Sequence, residues 1–189
     1  LSEDQRWNAL GCLGGWILAE LDKRGLGSNT VVLFTSDNGY CLGDRGLAGK
    51  WFMYEESFRA PLIILDPREP VGNRSRTEKA LTLNIDFAPT MLDLAGVTPP
   101  AEMQGSSLRR LLKHQSPADW RKEFFYEHHF APEIIPPSEG VRTERWAYIR
   151  WVNEKPPIEE LYDVQADPFE ARDLASTPAH VETLARLRA

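Results

Sequence analysis

Cysteine is scarce in this sequence, with Cys12 and Cys41 the two thiols in 189 residues. Two thiols build no disulfide framework, and spacing does not say whether they pair. Basic charge is also short: 22 Lys and Arg face 28 Asp and Glu, a formal net charge of -6. No basic stripe is available to neutralise phosphates, which argues against a nucleic-acid binder. One local cationic pocket for a small anion remains open. No apolar run approaches the length of a membrane span, so no membrane partner is expected. The most apolar early stretch, "ALGCLGGWILAEL", follows the acidic "LSEDQRW", an unsuitable lead for a signal peptide. Internal repeats and low-complexity tracts are absent. The chain opens on Leu1 rather than methionine, which reads as a fragment, a processed chain or a trimmed one.

A hydrophobic share of 42% and six tryptophans are enough for a sizeable core, in one good-sized domain or a domain with a small appendage. Trp7, Leu10, Leu13, Ile17 and Leu21 recur at roughly helical spacing. They predict a helix over 3–24, weakened by Gly11, Gly14 and Gly15 and capped by Gly25. "VVLFTS" is apolar without alternation, as a parallel strand covered on both faces would be, and "PLIIL" reads as a second strand. "NIDFAPTMLDLAGV" predicts a turn or short strand, then a helix with Pro89 in its first turn and Gly96 at its end. "SLRRLLK" predicts a short helix. This alternation indicates an α/β layered sheet.

After about Ser116 the pattern changes. "EFFYEHHF", "VRTERWAYIRWV" and "ELYDV" read as strands of an antiparallel sheet solvated on one side. In the second of these, Val141, Thr143, Arg145, Ala147, Ile149 and Trp151 share one face by alternation. The tail begins a helix at Thr177, with Pro178 at the first helical position.

The chemistry concentrates in "TVVLFTSDNGYCLGDRGLAGKW". In open α/β sheets, ligands sit at the carboxyl ends of strands, where Asp37 and Asn38 fall. A carboxylate beside an amide oxygen offers two hard donors of the kind Ca²⁺ or Mg²⁺ takes. Gly39 lets the backbone turn sharply and approach a bound group. Lys50 is a point charge on a long stem, suited to an anionic oxygen. Asp-Asn-Gly is also ordinary turn chemistry, so spacing alone leaves the site and the turn both open.

Beyond spacing, "FTSDNGYCLGDRGLAGKWFMYEESFRAPLII" resembles the second conserved block of the sulfatase family, in the alkaline-phosphatase-like superfamily. The resemblance continues through "NIDFAPTMLDLAGVTPPAEMQGSSL" and "EGVRTERWAYIRW" to the closing motif "ELYDVQADPFEARDLA", in order and over nearly the whole chain. It implies hydrolysis of sulfate esters or sulfamates by a formylglycine made from cysteine or serine, with a divalent cation, usually Ca²⁺, orienting the nucleophile. It further implies that Asp37 and Asn38 are metal ligands and that Lys50 contacts the sulfate. Arg45, where many relatives carry histidine, would add positive charge near the substrate or pair with Asp44 or Glu55. His128 and His129 lie in a region that borders the family's cleft. Adjacent strand residues point to opposite faces, so at most one of the two faces a given pocket.

The sequence departs from the family in one decisive respect: it holds no Cys or Ser-x-Pro-x-Arg nucleophile motif. In Cys41-Leu42-Gly43-Asp44-Arg45 the proline position is glycine, and Ser176-Thr177-Pro178-Ala179-His180 fails at its last position. The early aspartate pair, lysine and histidines of the family are missing as well. Asp163, Asp167 and Glu170 read as turn and capping residues.

The resulting expectation is the C-terminal part of a sulfatase: the end of its α/β sandwich at 1–115 and a small antiparallel-sheet (α+β) subdomain at 116–189. Alternatives are a phosphoester or phosphonate hydrolase of the same superfamily and a non-catalytic binding or scaffold module. The complete enzyme would take a sulfated small molecule or carbohydrate, with an exported (periplasmic, secreted or lysosomal) location suggested by the family. This chain alone should not turn over. Its metal should bind weakly, its formylglycine should lie elsewhere, and open sheet edges should favour self-association.

Overall fold

Branched apolar runs become strands, and their partners decide what they cover. The computed structural model describes residues 14–70, 76–115 and 117–189. A helix, α1, runs over 14–23; the earlier part of the expected helix, and Cys12, lie outside the described residues. Trp16 and Ile17 of α1 are exposed. Strand β1 (Val32–Thr35) pairs with β4 (Leu62–Leu65), Val32 opposite Leu65. The pairing is antiparallel, which corrects the expected parallel strand. An unbroken apolar run reports cover on both faces but not direction, and both strands are half-buried along their length.

Between these strands lie a two-residue ladder, β2 (Cys41–Leu42) with β3 (Ala48–Gly49), and a single helical turn, α2 (Glu55–Phe58). Helix α3 (Phe87–Leu94) has buried Pro89 near its start, and Gly96, at φ 78°, follows its end. The short α4 (Arg109–Leu112) buries Leu111.

The second half is a four-stranded antiparallel sheet in the order β5 (Glu123–His128), β6 (Ser138–Thr143), β7 (Trp146–Trp151), β8 (Ile158–Asp163). The predicted single strand "VRTERWAYIRWV" is instead a hairpin, with Val141 opposite Tyr148. The hydroxyl of Thr143 accepts the backbone N–H groups of Arg145 and Trp146, at 3.3 and 2.8 Å, and closes the turn. Reversal puts Val141 on the face of Tyr148 rather than of Ile149.

The expectation of one solvated face is also corrected. On one face Ala147 and Ile149 pack with Met53, Tyr54 and Tyr162. On the other, Tyr148 and Leu161 pack with Leu184 and Leu187 of α5 (Val181–Arg188). Pro178 starts the tail in a 3₁₀ turn, Pro178–His180, ahead of α5. Met53 and Tyr54 carry most significance for the site, because they tie the loop after Lys50 to the four-stranded sheet.

Candidate functional site

Strand β1 ends in Ser36-Asp37-Asn38-Gly39. A Cβ at Gly39 would run into the carbonyl oxygen of Glu56. The close approach for which glycine is needed is thus to α2, not to a bound group. The Asn38 amide donates to the Gly39 carbonyl at 2.9 Å. Asp37 stands clear, its side chain 81% exposed.

The glycine-rich loop then returns through β2 and β3. Gly49 sits at φ 127°, a conformation that other residues avoid, and it delivers Lys50 beside β1. The Lys50 Nζ lies 3.9 Å from Asp37 Oδ2. A carboxylate and an ammonium thus meet at the end of β1, with the Asn38 amide next in the chain. The pair is water-exposed, so its contribution to stability is at most about 1 kcal/mol.

His128 reaches the same neighbourhood. It is buried and stacks under Trp51, ring centroids 6.1 Å apart and 14° from parallel. His129 points to water, 3.9 Å from the Glu127 carboxylate. Trp51 in turn lies beneath the Lys50 ammonium, 5.4 Å from its ring centroid. Spacing gave no signal for Trp51, beyond its place next to Lys50.

Arg45 turns the other way. Its guanidinium donates to the carbonyls of Phe169 and Glu170 at 2.5 and 2.6 Å and lies 4.3 Å over the Tyr54 ring. Its carboxylate neighbours are Glu170 at 3.3 Å and Glu56 at 3.8 Å, where sequence reasoning named Asp44 and Glu55. Glu55 pairs with Arg142 at 2.8 Å. Cys41 is buried, and burial pushes its thiol pKa up, opposite to what a nucleophile requires.

In the closing motif, Asp163 pairs with Arg145 and accepts the Ala166 N–H, and Asp167 accepts the Arg172 N–H. These are turn contacts, as expected. Glu170 is more than that: 1% exposed, it accepts the Glu55 N–H at 3.2 Å. Burial, with Glu55 and Glu56 nearby, pushes its pKa from 4.5 to about 7, outweighing the Glu55 N–H and Arg45. The folded chain therefore holds a proton there that the unfolded chain releases between pH 4.5 and about 7. Glu170's contribution is present below that window and lost as pH rises through it. Relative to Glu170→Gln, the wild-type stability should fall by about 3 kcal/mol across the window. Urea melts of both proteins at pH 4.5, 6 and 8 check this; parallel profiles would contradict it.

Among the described residues, no group of three or more His, Cys, Asp or Glu side chains is placed to hold a metal ion. Nor is any helix there long and apolar enough to cross a membrane.

The fold has close counterparts. A family model described as N-sulphoglucosamine sulphohydrolase, C-terminal, matches residues 43–189. An N-acetylglucosamine-6-O-sulfatase of Bacteroides thetaiotaomicron is 40% identical over 85% of this chain and 29% of its own length. A multifunctional alkaline phosphatase superfamily protein of Trinickia caryophylli is 34% identical over 89% of this chain and 34% of its own. A structure solved in complex with D-glucosamine-2-N,6-O-disulfate superposes with a TM-score of 0.82 at 37% identity, covering 92% of this chain and 35% of that one. A phosphonate monoester hydrolase of Silicibacter pomeroyi superposes at 0.75 with 29% identity, covering 91% and 36%. The architecture is that of the alkaline-phosphatase-like superfamily. Within it, the chain belongs to the sulfatase family and carries that family's C-terminal region. It spans about a third of the length of these relatives.

Proposed function

We propose that this chain forms the sulfate-side wall of a sulfatase active site, in an enzyme that hydrolyses sulfate esters of small molecules or carbohydrates. Lys50 contacts the sulfate group. Asp37 and Asn38 supply two oxygen ligands to a divalent cation, calcium by preference. The observation that carries the reading is the 3.9 Å approach of Lys50 Nζ to Asp37 at the end of β1. Asp37 is the carboxylate that would hold the cation, which would leave the Lys50 ammonium to contact the sulfate. The disulfated glucosamine held by the structural relative supports a sulfated sugar as substrate.

The donor set fits a cation in kind but not in number. The Asn38 amide nitrogen is committed to the Gly39 carbonyl, which leaves the side-chain oxygen for a metal. Two ligands fall well short of the six to eight oxygens of Ca²⁺, so the rest belong to sequence outside this chain. When bound, the cation polarises the sulfate and orients the nucleophile. The formylglycine also lies outside, since no Cys or Ser-x-Pro-x-Arg occurs here. This chain by itself therefore binds but does not turn over.

Calorimetric titration with calcium chloride tests the metal role. Weak binding is expected, roughly millimolar or poorer, and Asp37→Ala should abolish it. Equal heats from the two proteins would overturn the assignment. A second reading, phosphonate or phosphate monoester hydrolysis, draws on the likeness to the Silicibacter pomeroyi enzyme. Tighter binding of a phosphonate monoester than of glucosamine 6-sulfate would favour it.

A further inference from the structure

Trp51 is a large aromatic beside Lys50 that is neither fully packed nor relaxed. Its backbone is at φ 78°, an outlier for a bulky residue, and the residue is 42% exposed. Such a conformation costs roughly 1–3 kcal/mol and persists only where surrounding contacts impose it. Here they do. The Tyr126 hydroxyl donates to the Trp51 carbonyl at 2.9 Å, and the His128 imidazole backs the indole in a stacked arrangement. Phe130, 71% exposed, stands edge-on to it, with ring centroids 6.4 Å apart and planes 62° apart. Beneath the indole, His128 Nε2 is buried without a protein partner. A buried polar atom of this kind calls for a hydroxyl or a water.

We propose that Trp51 is the stacking platform for the pyranose ring of the sulfated substrate. In this arrangement Phe130 closes one side and the Lys50 ammonium holds the anionic substituent. The inference rests on the sulfatase reading above and adds to it the group that recognises the sugar. The apolar C–H face of a pyranose suits an aromatic face, whose negative quadrupole meets the slightly positive C–H edge. Charge and ring contact then come from consecutive residues: Lys50 Nζ lies 5.4 Å from the Trp51 ring centroid.

The test follows the indole N–H resonances of the ¹⁵N-labelled chain during titration with glucosamine 6-sulfate, methyl glucoside and sodium sulfate. Trp51→Phe identifies the Trp51 resonance. Glucosamine 6-sulfate should shift that resonance. Trp51→Ala should weaken its binding about tenfold, and Trp51→Phe should recover most of it. Inorganic sulfate should bind Trp51→Ala as it binds the wild type, because it meets Lys50 alone. Since Trp51 is strained and half-exposed, Trp51→Ala should keep the melting temperature and the remaining amide spectrum.

Unchanged affinity of Trp51→Ala for the sulfated sugar overturns the platform. If Lys50→Ala still loses that affinity, the sulfatase reading survives while the platform fails. If neither substitution matters, or the wild type binds no sulfated sugar, both fail. An equal loss for inorganic sulfate would show Trp51 acting through Lys50, and that too overturns a sugar platform.

Discussion

Lys50→Ala, placed in an active sulfatase assembled from this chain and a nucleophile-bearing partner sequence, is expected to lower kcat/KM for a sulfate ester by about 10²–10³-fold. The reason is where charge gathers. Sulfate transfer builds negative charge on the sulfate oxygens, and a cation fixed beside them is worth more in the transition state than in the ground state. Lys50 is positioned by its loop, with Gly49 behind it and Asp37 3.9 Å away. Because that pair is exposed, the loss should be catalytic rather than structural. The melting temperature should hold, and Lys50→Arg should recover part of the activity by restoring charge without the same geometry. A change in kcat/KM below threefold would remove Lys50 from the sulfate contact.

The largest effect on stability is expected at Asp86. Its carboxylate is fully buried, at 0% exposure. It accepts the backbone N–H groups of Leu83 and Ser106, each at 2.8 Å, and the Arg121 guanidinium in two contacts, one of 2.6 Å. The same side chain thus fixes the 3₁₀ turn Asn84–Asp86 ahead of α3 and anchors the lead into β5. Asp86→Asn keeps the shape but leaves a cation without its charge partner, and should destabilise the chain by about 3–5 kcal/mol. Adding Arg121→Met should restore a large part, because the penalty lies in the orphaned charge. Urea denaturation of the three proteins checks both statements. A single-variant loss under 1 kcal/mol, or no recovery in the double variant, would contradict them.

The approach of Lys50 to Asp37 was legible because the candidate site is local. Asp37, Asn38 and Lys50 lie within one strand-loop unit, and hard oxygen donors at a strand end followed by a glycine-rich return can be read from the residues. The strands were legible for the same reason: "VVLFTS", "PLIIL" and "EFFYEHHF" are short β-branched or aromatic runs. What was not legible depends on partners distant in sequence. The direction of β1 is set by β4, and apolarity is silent on direction. The hairpin at Glu144-Arg145 carries no glycine, proline or asparagine, so the alternation seemed to run straight through a turn that the Thr143 hydroxyl makes. Arg45 was read as a site cation or a local partner. Its real company, Glu170 and the Phe169 carbonyl, comes from more than 120 residues away in the chain.

The central claim, a sulfate and cation site at the end of β1, is tested most directly by a crystal of this chain grown with calcium chloride and glucosamine 6-sulfate. The predicted result is a sulfate group on Lys50 Nζ, with a cation touching Asp37 and the Asn38 side-chain oxygen. Lys50 remaining on Asp37 while the sulfated sugar binds elsewhere on the chain would contradict it.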